Sequence, residues 1–195
     1  MPRTRKARTV TVEYLDENTD VNIDNILYFV GIDPSYSSTG LVILDNKTNE
    51  PVVAMTIKAG VPTERFHDRI KKLLDKLAEC ILKYNLEDVY VVMEGASFAS
   101  EFNAFKLGKL SGVVEFFLGE NKVSYSLVAP TYVKKVASGS GNANKEQVIK
   151  GVRERWGYRH SNSDINDAYT MAQIARGAKP LPRPAKKLGG RKDGK

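Results

Sequence analysis

With 195 residues, 42% of them hydrophobic, the chain suits one compact domain with a real core, which excludes an intrinsically disordered protein. Its formal net charge of +7 favours a polyanionic partner, since Lys and Arg that neutralise phosphates release counterions. A single cysteine, Cys80, excludes an intramolecular disulfide and a Cys-based zinc centre, and no apolar run is long enough to span a bilayer. The first residues are basic but lack the apolar core of a signal peptide, so a reducing cytoplasmic setting, bacterial or that of an infected host cell, is expected, with no membrane partner.

Residues 1–25 read as a flexible basic and polar extension, apart from a short β-prone piece from Thr9 to Tyr14. The folded domain spans 26–178. Ile26 to Ile32 is a buried strand that ends at Asp33-Pro34. Leu41 to Leu44 is a second strand, Asp45 to Glu50 a hairpin-type turn, and Val52 to Ile57 a third strand. A helix follows from about Thr63, its candidate cap, to Tyr84, with Ile70, Leu73, Leu74, Leu77, Ile81 and Leu82 at helical spacing. Cys80 lies on it as a small core residue. Asp88 to Met93 is another buried strand, stopped by Glu94-Gly95.

A second helix, Glu101 to Gly119, is apolar over much of its surface. Phe105, Leu107, Leu110, Val113, Val114, Phe116, Phe117 and Leu118 exceed what one face needs to bury, so it is either a central core helix or an interface. Val123 to Val128 is the fifth strand. A short helix holding Tyr132 and Val133, a Ser-Gly loop at 138–141, and helices at 145–156 and 163–177 complete the domain. Residues 179–195, rich in Pro, Gly and basic side chains, read as a disordered tail. The order is that of an α/β fold with a mixed sheet.

Four acids stand where solvated surface acids do not. Asp33 and Glu94 each end a buried strand, and Asp164 and Asp167 lie three apart at the start of the last helix, on one face. Strand ends of an α/β sheet converge on the edge where sites form. Four carboxylates gathered there repel unless cations neutralise them, and oxygen-only ligands suit Mg²⁺ or Mn²⁺. Taken singly, each has a plainer role: Asp33 opens a turn, Glu94 is a loop acid, and Asp164 complements a helix dipole. Glu101 and Glu115 are assigned to helix surface or interface. His160, close before Asp164, is read as a surface residue.

Around these acids the sequence has four recognisable segments. They are Gly31-Ile32-Asp33-Pro34 with Ser38-Thr39-Gly40; Val91-Val92-Met93-Glu94 with Ala104 to Lys109 and Gly112; Ala129 to Lys135 with Asn144 to Val148; and Asp164-Ile165-Asn166-Asp167-Ala168 with Ala172. In this order and at this spacing the chain resembles the RuvC family of Holliday-junction resolvases, over about Phe29 to Gly177. The resemblance implies a ribonuclease H-like fold with a central mixed five-stranded sheet flanked by helices, and a homodimer acting on branched DNA, four-way junctions above all. It implies two Mg²⁺ ions per active site, with Mn²⁺ as substitute, held by Asp33, Glu94, Asp164 and Asp167. Lys145 joins these as a catalytic residue. Lys134 and Lys145 are expected near the scissile phosphate, and Lys135, Lys106, Lys109 and Phe98 on the DNA. Ser35 after Asp-Pro, a short loop after Glu94 and the N-terminal extension resemble the divergent, phage-encoded branch of the family.

The reaction implied is hydrolysis without a covalent intermediate, giving a 5′ phosphate, with paired nicks from a two-fold dimer. Three other readings stand beside it: a broader debranching nuclease; an ATP-binding kinase-type domain, to which Gly31-Ile32-Asp33 and Ser37 to Gly40 are similar; and a non-catalytic DNA-binding module, which leaves the four acids unexplained.

Overall fold

The computed structural model describes residues 14–61, 63–95 and 101–181, with 101–107 as backbone alone. One sheet contains β1 (Tyr14–Leu15), β2 (Tyr28–Asp33), β3 (Thr39–Asp45), β4 (Pro51–Ile57), β5 (Val89–Glu94) and β6 (Ser124–Val128). Their spatial order is β1-β6-β5-β2-β3-β4. β2, β3 and β4 form an antiparallel meander, whereas β2, β5, β6 and β1 run parallel. The helices are α1 (Phe66–Ile81), α2 (Glu101–Glu120), α3 (Pro130–Ser138), α4 (Lys145–Trp156) and α5 (Ser163–Ala175).

The sequence dictates which strands are central. β2, β3 and β5 are apolar at nearly every position and are buried on both faces, while β4 alternates and forms an edge. One face of the sheet, with Phe29, Val42, Leu44, Val92 and Val128, packs under α3, α4 and α5. The other, with Val30, Ile32, Leu41, Ile43, Val91 and Met93, packs under α1 and α2.

The expected α/β class holds, but the sheet has six strands, not five. The sixth comes from residues expected to lie in the flexible extension. Tyr14–Leu15 pairs with β6, Leu15 is buried at 6% exposure, and Tyr132 Oη donates to the Asp16 carbonyl at 3.1 Å. Of the two expected tails, residues 16–25 and 179–181 are also described, with Lys179 bonded to Thr19 and paired with Asp20, while 1–13 and 182–195 lie outside the described residues. A second correction concerns α1. Its cap position is Arg65, without a side-chain cap bond, so Thr63 does not start the helix. Cys80 is buried as expected.

The contact that positions the site is the seating of α5 on the sheet. Gly31 lies on the α5 side of β2, and a methyl in its place would stand 1.8 Å from the Ala168 carbonyl oxygen and 2.6 Å from the Ala172 amide nitrogen. Gly40, opposite Asp33 on β3, would bring one within 2.2 Å of the Asp164 carbonyl oxygen. Two missing side chains, with Ala168 and Ala172 facing them, let a helix backbone rest on two strands. Gly31→Ala should therefore cost at least ~2 kcal/mol, the scale of overpacking in a core. A urea denaturation midpoint equal to that of the unsubstituted chain would contradict this.

Candidate active site

Asp33 is the last residue of β2 and Glu94 the last of β5. The strands are parallel, and the register that pairs Ile32 with Met93 sets the two acids side by side at one sheet edge. By alternation both project from the α5 face, in phase with Phe29 and Gly31 on β2 and with Tyr90 and Val92 on β5. The first turn of α5 brings Asp164 and Asp167 over the same edge.

A group of polar residues fixes that first turn. Asn162 is the N-cap, and its side chain accepts from the Asp164 amide at 2.8 Å. Asn166 is fully buried. Its side-chain nitrogen donates to the carbonyls of His160 and Asn162, both at 2.7 Å, and its oxygen accepts from the His160 amide at 3.3 Å. His160 is half-buried, and its Nδ1 accepts from the Asn162 amide at 3.0 Å, so it braces the entry to α5 and is not the plain surface residue expected. On the other side of the edge, Thr39 is buried and bonds Ser35 in both directions, and Arg69 donates to the carbonyls of Tyr36 and Ala59. The turn after Asp33 is thereby held from α1.

Desolvation and mutual repulsion dominate the electrostatics. Burial pushes the Asp33 carboxyl well above its ordinary range, and Glu94, Asp167 and Asp164 push it further, while Lys145 opposes them. Burial and then Asp167 raise Glu94 to about 7, against Lys134. Burial and then Asp164 raise Asp167 to about 6, against Lys145 and Lys134. These are the shifts of acids crowded out of water without enough positive charge.

All the acids expected to act together therefore share one field, and two of the expected lysines face it. Lys134 comes from α3. Lys145 opens α4 after a capping box formed by Asn144 and Gln147, and its Nζ donates to Ser163 Oγ at 3.3 Å. Ser163 Oγ in turn donates to Asp164 Oδ1 at 3.2 Å. Lys135 turns elsewhere and pairs with Glu17 at 2.6 Å. Lys109 is exposed on α2. Phe98 and the side chain of Lys106 lie outside the described residues. Glu115 stays on α2 beside Tyr125, where burial raises its carboxyl. The sequence reading missed Gly31, Gly40, Asn162 and Asn166 as positioning residues. Asn162 carried a usable signal, an Asn directly before a helix with Asp in its first turn.

Among the described residues no three His, Cys, Asp or Glu side chains already form a metal-holding cluster. Like charges without a counterion spread apart, and ligands of this kind converge when the cation arrives. The donors themselves fit a hard divalent cation, since all four are carboxylates with no thiol or imidazole among them.

The family model for crossover junction endodeoxyribonuclease RuvC matches residues 29–174. The chain belongs to the RuvC family. The RuvC of an Anaeromyxobacter species is 32% identical over 161 residues, covering 80% of this chain and 77% of that protein. The RuvC of Brachyspira hyodysenteriae is 26% identical over 145 residues, covering 73% and 89%. Among solved structures, Thermus thermophilus RuvC in complex with a Holliday junction substrate has a TM-score of 0.61 and 25% identity, covering 80% of this chain and 99% of that one. The ribonuclease H-like expectation is thus met. The RuvC match starts at residue 29, so β1 lies outside it.

The raised carboxyls have a consequence for the metal-free protein. In the unfolded chain Glu94 and Asp167 ionise near 4.5 and 3.8, but in the fold only near 7 and 6. Between these values the native state binds more protons than the unfolded state, so stability falls as pH rises from about 4 to about 7. With EDTA present, the melting temperature should drop over that window, and Glu94→Gln should flatten the drop and raise the value at pH 8. A profile that is flat, or that rises with pH, would contradict the assignment.

Proposed function

We propose that this chain is a magnesium-dependent endonuclease that resolves four-way DNA junctions by paired phosphodiester hydrolysis. The observation that carries this reading is the set of four carboxylates at one sheet edge, three of them driven up by burial and by each other, with Lys134 and Lys145 facing them. Such a set is unfavourable by itself and becomes favourable around divalent cations. Asp33, Glu94, Asp164 and Asp167 are the residues that would hold them. Bound there in a pair, such ions would supply a Lewis acid to activate a water and positive charge to stabilise the departing 3′ oxygen, which would leave a 5′ phosphate.

The chain's own groups do the rest. Asp33 and Glu94 sit on rigid strand ends, and Asp164 and Asp167 on a capped helix turn. This fixes the four backbone positions, so only the side chains need to converge on the cations. Lys145 and Lys134 offer ammonium groups at the rim, where phosphate charge would enter. Asn166 and Asn162 hold α5 at the angle that keeps its acids over the edge. Lys109, exposed on α2, would meet the DNA backbone. Lys135 becomes available when it leaves Glu17.

Paired nicks call for two sites related by a two-fold axis, and we propose a homodimer formed through α2. Leu110, Val114 and Leu118 of this helix are buried in the core, while Phe116 is 67% exposed, beside half-buried Val113 and Phe117. A strictly monomeric protein in sedimentation at micromolar concentration would remove this part of the proposal.

The decisive assay uses a labelled synthetic four-way junction, with flap and linear duplex beside it. Nicks near the crossover should require Mg²⁺. Asp33→Asn should lower the cleavage rate by roughly a thousandfold or more while junction binding persists, as expected for a residue needed only in the chemical step. Cutting of every branched form would recast the protein as a general debranching nuclease. Binding without metal-dependent cutting of any substrate would leave a DNA-binding module.

A further inference from the structure

Residues N-terminal to the RuvC match build an element beside the active edge. β1 pairs in parallel with β6, Tyr14 with Leu127 and Leu15 with Val128. Val128 in turn pairs with Glu94, so β1 lies one strand beyond β6 at the level of a site carboxylate. Alternation sends the two side chains of β1 to opposite faces. Leu15 enters the core with Val128, and Tyr14 emerges on the α2 side.

Tyr14 is firmly placed yet open. The Gly95 amide donates to the Val128 carbonyl at 2.9 Å, which holds Gly95 next to β6. A methyl at Gly95 would stand 2.8 Å from Tyr14 Oη and 3.0 Å from Cε1, so the phenol end rests against the backbone directly after Glu94. Even so, Tyr14 is 59% exposed, one of few large apolar side chains among the described residues that face solvent. The segment behind it is tied down at several points. Asp16 accepts from Tyr132, Glu17 pairs with Lys135, and Lys179 donates to the Thr19 carbonyl and pairs with Asp20 at 3.4 Å. An aromatic ring on an anchored strand, set against a glycine backbone and open to solvent, gives up little freedom when a second flat surface covers it.

We propose that Tyr14 is a DNA-contact residue, a stacking surface for an unpaired or splayed base of the branched substrate, set beside the end of β5 on the sheet face opposite the site carboxylates. This rests on the nuclease reading above and adds a contact from a strand outside the RuvC match. Stacking tolerates any base, so Tyr14 strengthens the grip on distorted DNA without reading its sequence. It touches no reacting atom, so its effect falls on substrate binding rather than on the chemical step.

The test uses the full chain with a fluorescent four-way junction. Binding is measured in EDTA, cleavage in Mg²⁺ and melting temperature without DNA, for the unsubstituted protein, Tyr14→Ala and Tyr14→Phe. Tyr14→Ala should weaken junction binding and raise KM by roughly tenfold, the effect of losing one stacked base. It should leave kcat within about twofold and the melting temperature unchanged, and Tyr14→Phe should restore binding. A 2-aminopurine placed beside the crossover should lose its fluorescence quenching in Tyr14→Ala alone. If the unsubstituted protein cuts the junction and Tyr14→Ala binds it equally well, this inference fails and the nuclease reading stands. A fall in kcat and melting temperature that Phe does not rescue would make Tyr14 a packing residue and overturn the inference too. If the unsubstituted protein neither binds nor cuts branched DNA, both fall.

Discussion

The seating of a helix backbone directly on two strands is the constraint from which the rest follows. Gly31 and Gly40 remove the side chains that would hold α5 away, and a methyl at either would meet a carbonyl oxygen of α5 at bond-like distance. A helix packed at ordinary distance from the sheet would carry Asp164 and Asp167 outward, away from Asp33 and Glu94. Close packing thus converts two local features, acids at strand ends and acids three apart on a helix, into one cluster. The buried amide of Asn166 and the cap of Asn162 then set where α5 begins, which decides the height of its acids above the edge.

The cluster is expensive while it stands alone. Three of its members are held above their ordinary range by burial and by each other, and the nearby lysines offset this only in part. Four crowded oxygen donors of this kind suit hard cations, which is the use proposed for them. Binding energy from cations would offset the cost of crowding these carboxylates, so metal affinity and stability would be linked.

Much of this was legible in the sequence because its signals are local. A run of β-branched residues broken by Asp or Glu marks a strand end at a site, and the i, i+3 spacing of Asp164 and Asp167 marks a shared helix face. Features that depend on partners distant in the chain were not legible. β1 was legible only as the end of a β-prone piece, Thr9 to Tyr14, and its place in the sheet comes from β6, which offers an edge to pair with. The pairing of Lys135 with Glu17 joins segments 118 positions apart, so Lys135 read as one more basic residue beside Lys134. Gly31 read as part of a motif, but its reason lies in the backbone of Ala168, more than a hundred residues later. Helix α1 starts at Phe66 and not near Thr63 because the fold extends the chain through Arg65 and forms no side-chain cap there.

The central claim is that this edge exists to hold divalent cations, and calorimetric titration of Mn²⁺ into the DNA-free protein tests it most directly. Saturable binding should be present in the unsubstituted chain, sharply weakened in Asp33→Asn and in Asp167→Asn, and accompanied by proton release as the raised carboxyls ionise. Mn²⁺ binding of undiminished strength after loss of both Asp33 and Asp167 would contradict the account.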